Sequence, residues 1–236
     1  MSQLFFTPKI ENGFAIFEEE EGRHLSTVLR KKPGDRLRLT DGKGHFYEAE
    51  LADAGKRQVL ARIISSESVP RPDRGRLHMA IAPTKNMDRL EWFLEKATEI
   101  GVDEITPILC KHSERETLRL DRLEKILVSA MKQSLRAWLP QLNPLTKFTD
   151  FVKKTGETQK RLAWCGDEPM PHLKNTLQPD QNTVVAIGPE GDFSPEEVTL
   201  ALSSGFQAVS LGEARLRTET AGLYAVTVFA TIDGGR

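Results

Sequence analysis

The stretch that decides the fold reads IGPEGDFSPEEV over residues 187–198 and, after a helical run, SLGEARLRTETAGLYA over residues 210–225. It contains two glycine-centred loops, 188–191 and 211–212, and each follows an apolar run typical of a β-strand. The second loop leads through residues 216–220 into an apolar helix. Because loops at the ends of adjacent strands build the ligand crevice of an open α/β sheet, we expect this segment to be the chemical centre of the chain.

Composition restricts the class of protein. The chain has 236 residues, enough for one large domain or two smaller ones, and its 39% hydrophobic and 28% charged residues are ordinary for a globular protein. No apolar run approaches the roughly 18 residues that a membrane span needs. The N-terminus lacks the basic start and long apolar stretch of a signal peptide. We therefore expect a cytoplasmic protein with no membrane contact.

Cysteine and histidine spacing gives no indication of a metal site. Cys110 and Cys165 are far apart and form no CxxC pair, and the five histidines show no ligand spacing. Neither a metal nor a disulfide framework is predicted. A GxGxxG fingerprint after a strand and a P-loop are also absent, which disfavours a Rossmann dehydrogenase and an NTPase.

The first part of the chain has the pattern of a small β-barrel. Segments 37–40 and 46–51 alternate around hairpin turn residues, 59–64 is a further strand candidate, and 24–30 has helical spacing. The proline-rich segment 69–75 then has the composition of a linker. We therefore predict two domains, one over residues 1–70 and one over residues 76–236.

The charge of the first domain is uneven. Between residues 22 and 76 there are 13 Lys and Arg residues against seven Asp and Glu residues, although the whole chain has a net charge of −1. A basic segment of this kind favours contact with a phosphate backbone. A solvated charged surface explains the same charge equally well.

From residue 77 onward, strands alternate with helices. Such alternation predicts an α/β domain with a mostly parallel sheet. The predicted strands cover residues 77–82, 105–110, 161–165, 183–187 and 207–211. Four helices are predicted. The first covers residues 87–100, the second begins at residue 120 and ends by Pro140, the third runs from the capping box at Ser194 to Gly205, and the fourth is capped by Thr218.

The combination of GPEG at 188–191, LG at 211–212 and LRTET at 216–220 resembles the signatures of a known family. GPEGG and LRTET are typical of the RsmE-type ribosomal RNA uracil-N3 methyltransferases of the SPOUT superfamily. The resemblance continues through most of the chain, in the blocks 24–30, 88–102, 113–115 and 132–136.

Two positions depart from the family pattern. Asp192 stands where the second glycine of GPEGG is common, and Glu213-Ala214-Arg215 replaces a frequent Pro-Arg-Ile.

The resemblance implies the fold and the partners. It implies a SPOUT-type C-terminal domain with a deep trefoil knot, an N-terminal PUA-like β-barrel that binds RNA, and a homodimer formed by the knotted domains. It also implies S-adenosyl-L-methionine as the methyl donor, and it implies no metal. The substrate that it implies is small-subunit (16S) ribosomal RNA, free or in an assembled 30S subunit.

Backbone groups of glycine loops can hydrogen-bond an adenine edge because no Cβ obstructs close approach. The loops after the predicted strands therefore suit S-adenosylmethionine. The predicted donor-binding residues are Cys165, Gly166, Ile187, Gly188, Pro189, Glu190, Gly191, Leu211, Gly212, Leu216 and Thr218.

Methylation of uracil N3 requires loss of the imide proton, and the base must be unpaired or flipped out to react. Arg217 could stabilise the negative charge that develops on the uracil carbonyl oxygens. Glu219 or Glu190 could accept the proton or lie near the sulfonium. The alternative for Arg217 and Glu219 is an ion pair that holds the loop.

The predicted RNA-binding residues fall in both domains, and ordinary surface charge is the alternative for each. They are His24, Arg30, Lys31 and Arg36, with Arg38 less certain, and Arg115, Gln133 and Arg136. Trp92 and Phe93 are interpreted as core residues, and Cys165 as a pocket wall. Two other functions stay open, namely methylation of a ribose or another base, and a non-catalytic RNA-binding module.

Overall fold

The computed structural model describes residues 3–55, 58–166, 168–178 and 180–232, with the backbone alone at residues 19 and 20. The chain divides into two compact units. One runs up to Pro72 and includes Val128–Leu139, and the other comprises Asp73–Leu127 and the chain from Pro140 onward. Residues 128–139 thus group with the first unit, although the sequence analysis assigns them to the domain that starts at residue 76.

The first unit contains a six-stranded sheet in the order β1-β4-β5-β6-β3-β2. Strands β1 and β4 are parallel and the other pairs are antiparallel. Its elements are β1 Leu4–Phe6, β2 Ile10–Glu11, β3 Phe14–Phe17, α1 Glu19–Arg23, a π-helix His24–Val28, β4 Arg36–Thr40, β5 His45–Ala54 and β6 Val59–Ser68.

Alternation along the strands separates the core of this unit from its surface. In β4, Leu37 and Leu39 are buried, whereas Arg36 and Arg38 lie on the opposite face. Because successive side chains of a strand point to opposite faces, the same pattern places Ala49 and Leu51 of β5 in the core. The outer face of this sheet therefore carries the arginines.

The second unit contains a sheet in the order β10-β8-β7-β12-β11-β13, with β9 paired to β8, and every pair is parallel. The prediction of an α/β domain with a parallel sheet is confirmed. The elements from residue 77 onward are β7 Leu77–Ile81, α2 Met87–Ile100, β8 Glu104–Leu109, α3 Leu120–Gln133, β9 Gln141–Leu142, β10 Thr146–Lys147, α4 Phe148–Lys154, β11 Gln159–Ala163, a 3₁₀ turn Leu173–Asn175, β12 Thr183–Ile187, α5 Pro195–Ser203, β13 Gln207–Val209 and α6 Thr218–Ile232. Helix α3 belongs to both units, because its residues from Val128 onward group with the first unit.

Local sequence explains most of these boundaries. Every residue of β7 and β12 is buried, as expected for central strands of a parallel sheet covered on both faces. Helix α5 begins with a capping box in which Ser194 and Glu197 bind each other's backbone N–H, and Gly101 closes α2 with a φ of 124°.

Three predicted boundaries were too long. Helix α3 ends at Gln133 rather than near Pro140, because Leu135 adopts a φ of 55° and leaves the helical region. Strands β11 and β13 end at Ala163 and Val209, where their pairing with neighbouring strands stops, so Cys165 and Leu211 lie in loops.

No helix in the described part of the chain is long and apolar enough to cross a membrane. Among the same residues, no group of three or more His, Cys, Asp and Glu side chains could hold a metal ion.

Candidate functional site

Three loops of the second unit meet at one edge of its sheet. Strand β11 lies between β12 and β13 and is parallel to both, and Ala163 pairs with Ile187 on one side and with Val209 on the other. The loops that follow are therefore level with one another at the carboxyl edge, where open α/β sheets bind ligands. Of the predicted donor residues, these loops hold Cys165, Gly166, Gly188, Pro189, Glu190, Gly191, Leu211 and Gly212, and Ile187 is the last residue of β12.

A hydrogen bond joins the LRTET segment to the GPEG loop. The Thr218 hydroxyl donates to the Gly188 carbonyl at 3.1 Å, and Thr218 is buried. Thr218 is the first residue of α6, so its side chain contacts the neighbouring loop instead of standing before the helix as the predicted cap. This contact holds Leu216, Arg217 and Glu219 beside the loop after β12.

The glycines of these loops differ in how much space surrounds them. Gly212 has a φ of 118°, and a Cβ built there would meet no atom within 4 Å. A Cβ at Gly188 would lie 3.1 Å from two ring carbons of Phe193. A ligand can therefore approach the backbone at Gly212, whereas Gly188 packs closely against the core.

The Arg217 guanidinium is free in the part of the chain that the structure describes. Arg217 is exposed, and no hydrogen bond or ion pair joins its side chain to another described residue. The partner of Glu219 is Arg89, with Nε and Oε1 3.8 Å apart. The ion pair between Arg217 and Glu219, the alternative left open by the sequence, is not formed.

Arg89 contacts two carboxylates of the site. Its NH1 group lies 3.0 Å from Oε1 of Glu190, while its Nε faces Glu219. Glu190 is exposed, whereas Glu219 is buried and its Oε2 has no hydrogen-bond partner among the described residues. The sequence analysis did not select Arg89, and the signal available for it was its position in the family-like block at residues 88–102.

The turn at Asp192 contacts two other loops, one through the Cys165 backbone and one through the His112 side chain. Asp192 adopts a φ of 59°, and its Oδ2 accepts a hydrogen bond from the Cys165 N–H at 3.0 Å. The His112 Nδ1 lies 3.0 Å from the carbonyl oxygens of both Gly191 and Asp192. No motif in the sequence selects His112, because its contact depends on loops about 80 residues apart.

The Cys165 thiol lacks the lowered pKa that activates a cysteine nucleophile. Burial raises the pKa of its thiol, the Asp192 carboxylate raises it further, and Arg215 lowers it. A raised pKa keeps the thiol protonated at neutral pH, and the thiolate is the reactive form.

In the second unit, the residue predicted to bind RNA is Arg115, and one of its side-chain nitrogens is buried. Arg115 is half-buried, its NH2 donates to the Lys85 carbonyl at 3.0 Å, and its buried Nε has no hydrogen-bond partner among the described residues. Lys85 in turn forms an ion pair of 2.8 Å with Glu114. Arg115 is therefore fixed by its loop neighbours.

The other predicted RNA-binding residues lie in the first unit. Gln133 and Arg30 are exposed, and Arg136 and Lys31 are half-buried. His24 is half-buried, and its Nε2 lies 3.0 Å from the side-chain amide of Gln3.

The arginines of β4 are paired loosely with glutamates of β5. Arg36 lies 3.9 Å from Glu50, and Arg38 lies 3.9 Å from Glu48 with its guanidinium over the Phe46 ring. Exposed pairs of this length contribute little to stability, so these cations can exchange partners at small cost.

The core interpretation is correct for one aromatic residue of α2 and wrong for the other. Phe93 is fully buried, whereas Trp92 is 42% exposed. The two are adjacent in a helix, so they point about 100° apart, and the apolar face that buries Phe93 excludes Trp92.

Two known protein families match consecutive parts of the chain. Residues 71–230 match the RNA methyltransferase domain family, and residues 17–64 match the RNA methyltransferase PUA domain family. The fold is thus a PUA-like N-terminal domain followed by a mixed α/β domain with a parallel sheet.

Individual relatives cover most of the chain. The ribosomal RNA small subunit methyltransferase E of Synechocystis sp. is 34% identical over 210 residues, which are 84% of this chain and 66% of that relative. A crystal structure from Porphyromonas gingivalis, described as a probable rRNA-methyltransferase, is 42% identical with a TM-score of 0.90, covering 98% of each chain. The ribosomal RNA small subunit methyltransferase E of Neisseria gonorrhoeae, solved bound to S-adenosyl methionine, is 30% identical with a TM-score of 0.81 and covers 98% of each chain.

The match of the RNA methyltransferase domain covers well over half of the chain, and the GPEG and LRTET segments lie within it. The chain therefore belongs to the ribosomal RNA small subunit methyltransferase E (RsmE) family of RNA methyltransferases.

Proposed function

We propose that this protein transfers the methyl group of S-adenosylmethionine to N3 of a uridine in small-subunit (16S) ribosomal RNA. The observation that carries the proposal is the 3.1 Å hydrogen bond from Thr218 to the Gly188 carbonyl. This contact joins the segment with the candidate catalytic side chains to a loop of the candidate donor pocket. A module that only binds RNA has no need of such a pocket.

The residues at the carboxyl edge fit the donor chemically. Ile187 and Pro189 are buried and Leu211 and Leu216 are half-buried, so they offer apolar surface, and the backbone at Gly212 is open. Apolar walls with a few backbone hydrogen-bonding groups are typical of cofactor sites. When bound, S-adenosylmethionine supplies a methyl group that its sulfonium charge activates.

Arg217 has the properties of the group that stabilises the reacting uracil. Deprotonation of the N3 imide puts negative charge on the carbonyl oxygens O2 and O4. The Arg217 guanidinium is exposed and has no ion pair with any described residue, so it can meet that charge without first breaking one. We therefore assign Arg217 to the uracil oxygens.

Glu219 is the second residue in our proposed mechanism. Its carboxylate is buried at the start of α6, one oxygen faces Arg89, and no residue that the structure describes binds Oε2. Glu190 is exposed, so it is the competing proton acceptor. The pH dependence of the two Glu→Gln variants distinguishes them, since only loss of the base removes the corresponding limb of the rate profile.

We infer that the first unit supplies RNA contacts. His24, Arg30, Lys31 and Arg36 are all at least partly exposed, and the segment is basic. In the second unit, Arg115 contributes a guanidinium whose Nε lacks a partner among the described residues. Gln133 and Arg136 complete the proposed set. The domain limits 1–70 and 76–236 belong to this proposal, apart from residues 128–139, which the structure groups with the first unit.

We also infer that the second domain is a SPOUT domain with a trefoil knot. Strand β13 lies at the end of the sheet beside β11, yet α6, which follows it, packs on α2, β7 and β12. The segment 210–217 must therefore cross the carboxyl edge of the sheet. A crossing at this position is what the knot of the family requires.

The family resemblance further supports a cytoplasmic homodimer that acts on ribosomal RNA or on the assembled 30S subunit. Trp92 of α2 and Tyr224 of α6 are large exposed side chains on two helices that pack together. Such side chains suit a subunit interface. Light scattering of the full chain at micromolar concentration measures the assembly.

Product analysis tests the proposed reaction directly. Small ribosomal subunits from a strain without the modification are incubated with the protein and S-adenosylmethionine, and the modified nucleoside is identified by mass spectrometry. We expect one N3-methyluridine per subunit. A ribose-methylated or differently methylated base would replace the uracil-N3 assignment, and RNA binding without any product would favour the binding module.

A further inference from the structure

The turn at Gly191–Asp192 connects three loops at the carboxyl edge of the sheet. The Asp192 carboxylate accepts a hydrogen bond from the Cys165 N–H at 3.0 Å through one oxygen, and from the Phe193 N–H at 2.7 Å through the other. The first of these contacts reaches the loop after β11. The carboxylate therefore links the loops that follow two adjacent strands.

His112 holds the same turn from the loop after β8. Its Nδ1 lies 3.0 Å from the carbonyl oxygens of Gly191 and Asp192. Because both carbonyls are acceptors, Nδ1 must carry the proton and donate to them. A Cβ at Gly191 would lie 3.1 Å from the His112 Cβ, so the two chains are in close contact there.

The backbone at Asp192 favours glycine, not aspartate. Its φ of 59° is in the left-handed region, which glycine adopts freely and which other residues adopt at a cost, although aspartate tolerates it better than most. Glycine would remove that cost, but it would leave the Cys165 N–H without its acceptor. The contact with Cys165 is what aspartate adds at this position.

The Cys165 amide needs such an acceptor because it lies beyond the sheet. The ladder of β11 with its neighbours ends at Ala163, so Cys165 has no strand partner for its N–H. A charged oxygen at 3.0 Å is a strong acceptor for an amide. This hydrogen bond fixes the first residues of the loop after β11 relative to the loop after β12.

We propose that Asp192 is a positioning residue for the donor pocket. Its carboxylate fastens the loop after β12 to the loop after β11, and His112 fastens the same turn to the loop after β8. The loops thus have their binding geometry before S-adenosylmethionine arrives, which strengthens binding because less ordering remains to be done. This inference depends on the proposed function in taking these loops as the donor pocket.

The test compares three substitutions in the full-length protein. Asp192→Asn keeps an oxygen acceptor, Asp192→Ala removes it and keeps the left-handed strain, and Asp192→Gly removes both. Amide hydrogen exchange at Cys165 reports the link itself, and calorimetry with S-adenosylmethionine reports the pocket. Asn12→Gly is the matched control, since Asn12 has a φ of 50° and lies in the first unit.

We expect Asp192→Gly and Asp192→Ala to speed exchange at Cys165 and to weaken donor binding about tenfold, the loss of one charge-assisted hydrogen bond. Asp192→Asn should keep most of both properties, and Asn12→Gly should change neither. If Asp192→Ala does not fold, Asp192→Gly gives the answer, because glycine fits the backbone.

Two results would overturn the inference: unchanged exchange at Cys165 in Asp192→Gly, or unchanged donor affinity in that variant despite faster exchange. Failure of the wild-type protein to bind S-adenosylmethionine would instead reject the proposed function, while the exchange measurement would still judge the link between the loops.

Discussion

The two edges of the parallel sheet differ in how completely their polar groups are paired. At the amino edge, the His78 ring lies between Glu157 and Thr106, and the buried Gln159 amide donates to Thr183 at 2.9 Å.

At the carboxyl edge, the Arg217 side chain has no partner among the described residues, and neither does Oε2 of the buried Glu219. Polar side chains at the amino edge of the sheet are therefore hydrogen-bonded to one another, whereas these two groups at the carboxyl edge can still bind a ligand.

This difference separates stability from function. A buried polar group without a hydrogen bond costs about 1–3 kcal/mol, so proteins rarely leave one unpaired without a reason. The polar groups of the amino edge stabilise the sheet. At the carboxyl edge, the Arg217 side chain and Oε2 of Glu219 stay available for ligands, which in open α/β sheets bind at that edge.

The largest effect is expected for Arg217→Ala. Loss of the group that stabilises charge in the transition state should lower the single-turnover methylation rate about 10²–10³-fold. Donor affinity and RNA affinity should change little, because the contact with the uracil oxygens becomes strong only as negative charge develops on them in the transition state. The rate is measured on small subunits that lack the modification.

Arg215→Ala is the matched control for that experiment, since Arg215 is also exposed and stands two residues earlier. A near-normal rate for Arg217→Ala would contradict its role and would weaken the contrast between the two edges. An equal loss in both variants would indicate a general charge effect instead.

Gly188→Val should break the donor pocket while leaving the amino edge intact. The Cβ would start 3.1 Å from the buried Phe193 ring, and the displaced loop would lose its contact with Thr218. We expect S-adenosylmethionine affinity to fall about tenfold or more, measured by calorimetry. Gly156→Val is the control, because Gly156 is exposed with no atom within 4 Å of its Cβ position. Equal affinity in both variants would remove Gly188 from the pocket.

Much of the fold could be predicted from local sequence. The capping box at Ser194, the glycine after α2 and the uniformly apolar β7 and β12 mark their elements because each acts within a few residues. Strand order could not be predicted in this way, since the pairing of β11 with both β12 and β13 depends on contacts between distant segments.

The same distinction holds for the candidate site. The glycine loops and LRTET are contiguous motifs, so the sequence alone reveals them. Arg89 and His112 reach the site through contacts with Glu190 and Asp192 that span about 101 and 80 residues of chain. Trp92 was misinterpreted as core because a single apolar residue beside a buried one does not reveal which face it occupies.

Glu157→Gln tests the amino edge. Burial alone would raise the pKa of Glu157, but hydrogen bonds from His78 and Thr155 outweigh it and lower this pKa to about 2. Because the folded-state pKa is below the ordinary 4.5, the carboxylate stabilises the protein fully above pH 4.5, and this contribution is lost as the pH falls toward 2.

The substitution should lower the free energy of unfolding at pH 7 by about 2 kcal/mol. It should also make this free energy fall less steeply between pH 4.5 and 2. Urea denaturation at several pH values measures both effects. Donor affinity should stay unchanged. Glu116→Gln, at an exposed carboxylate, is the control and should leave the stability profile as it is. If Glu157→Gln weakened donor binding and left stability unchanged, the proposal that the amino edge serves stability and the carboxyl edge serves binding would be wrong.

The smallest effect is expected at the arginines of β4 in the first unit, which are paired loosely with glutamates of β5. Arg36 lies 3.9 Å from Glu50, and Arg62 of the neighbouring strand shares the same glutamate at 3.4 Å. If Arg36 contacts an RNA phosphate, Arg36→Ala should weaken RNA binding a few-fold and reduce the slope of log affinity against log salt by about 0.7–0.9. Arg62→Ala removes an exposed arginine with the same partner and should leave that slope unchanged. Fluorescence anisotropy with a small-subunit RNA fragment over a salt series gives both values. Identical slopes for the two variants would make Arg36 ordinary surface charge, and would leave the RNA contacts of the first unit to its other candidates, His24, Arg30 and Lys31.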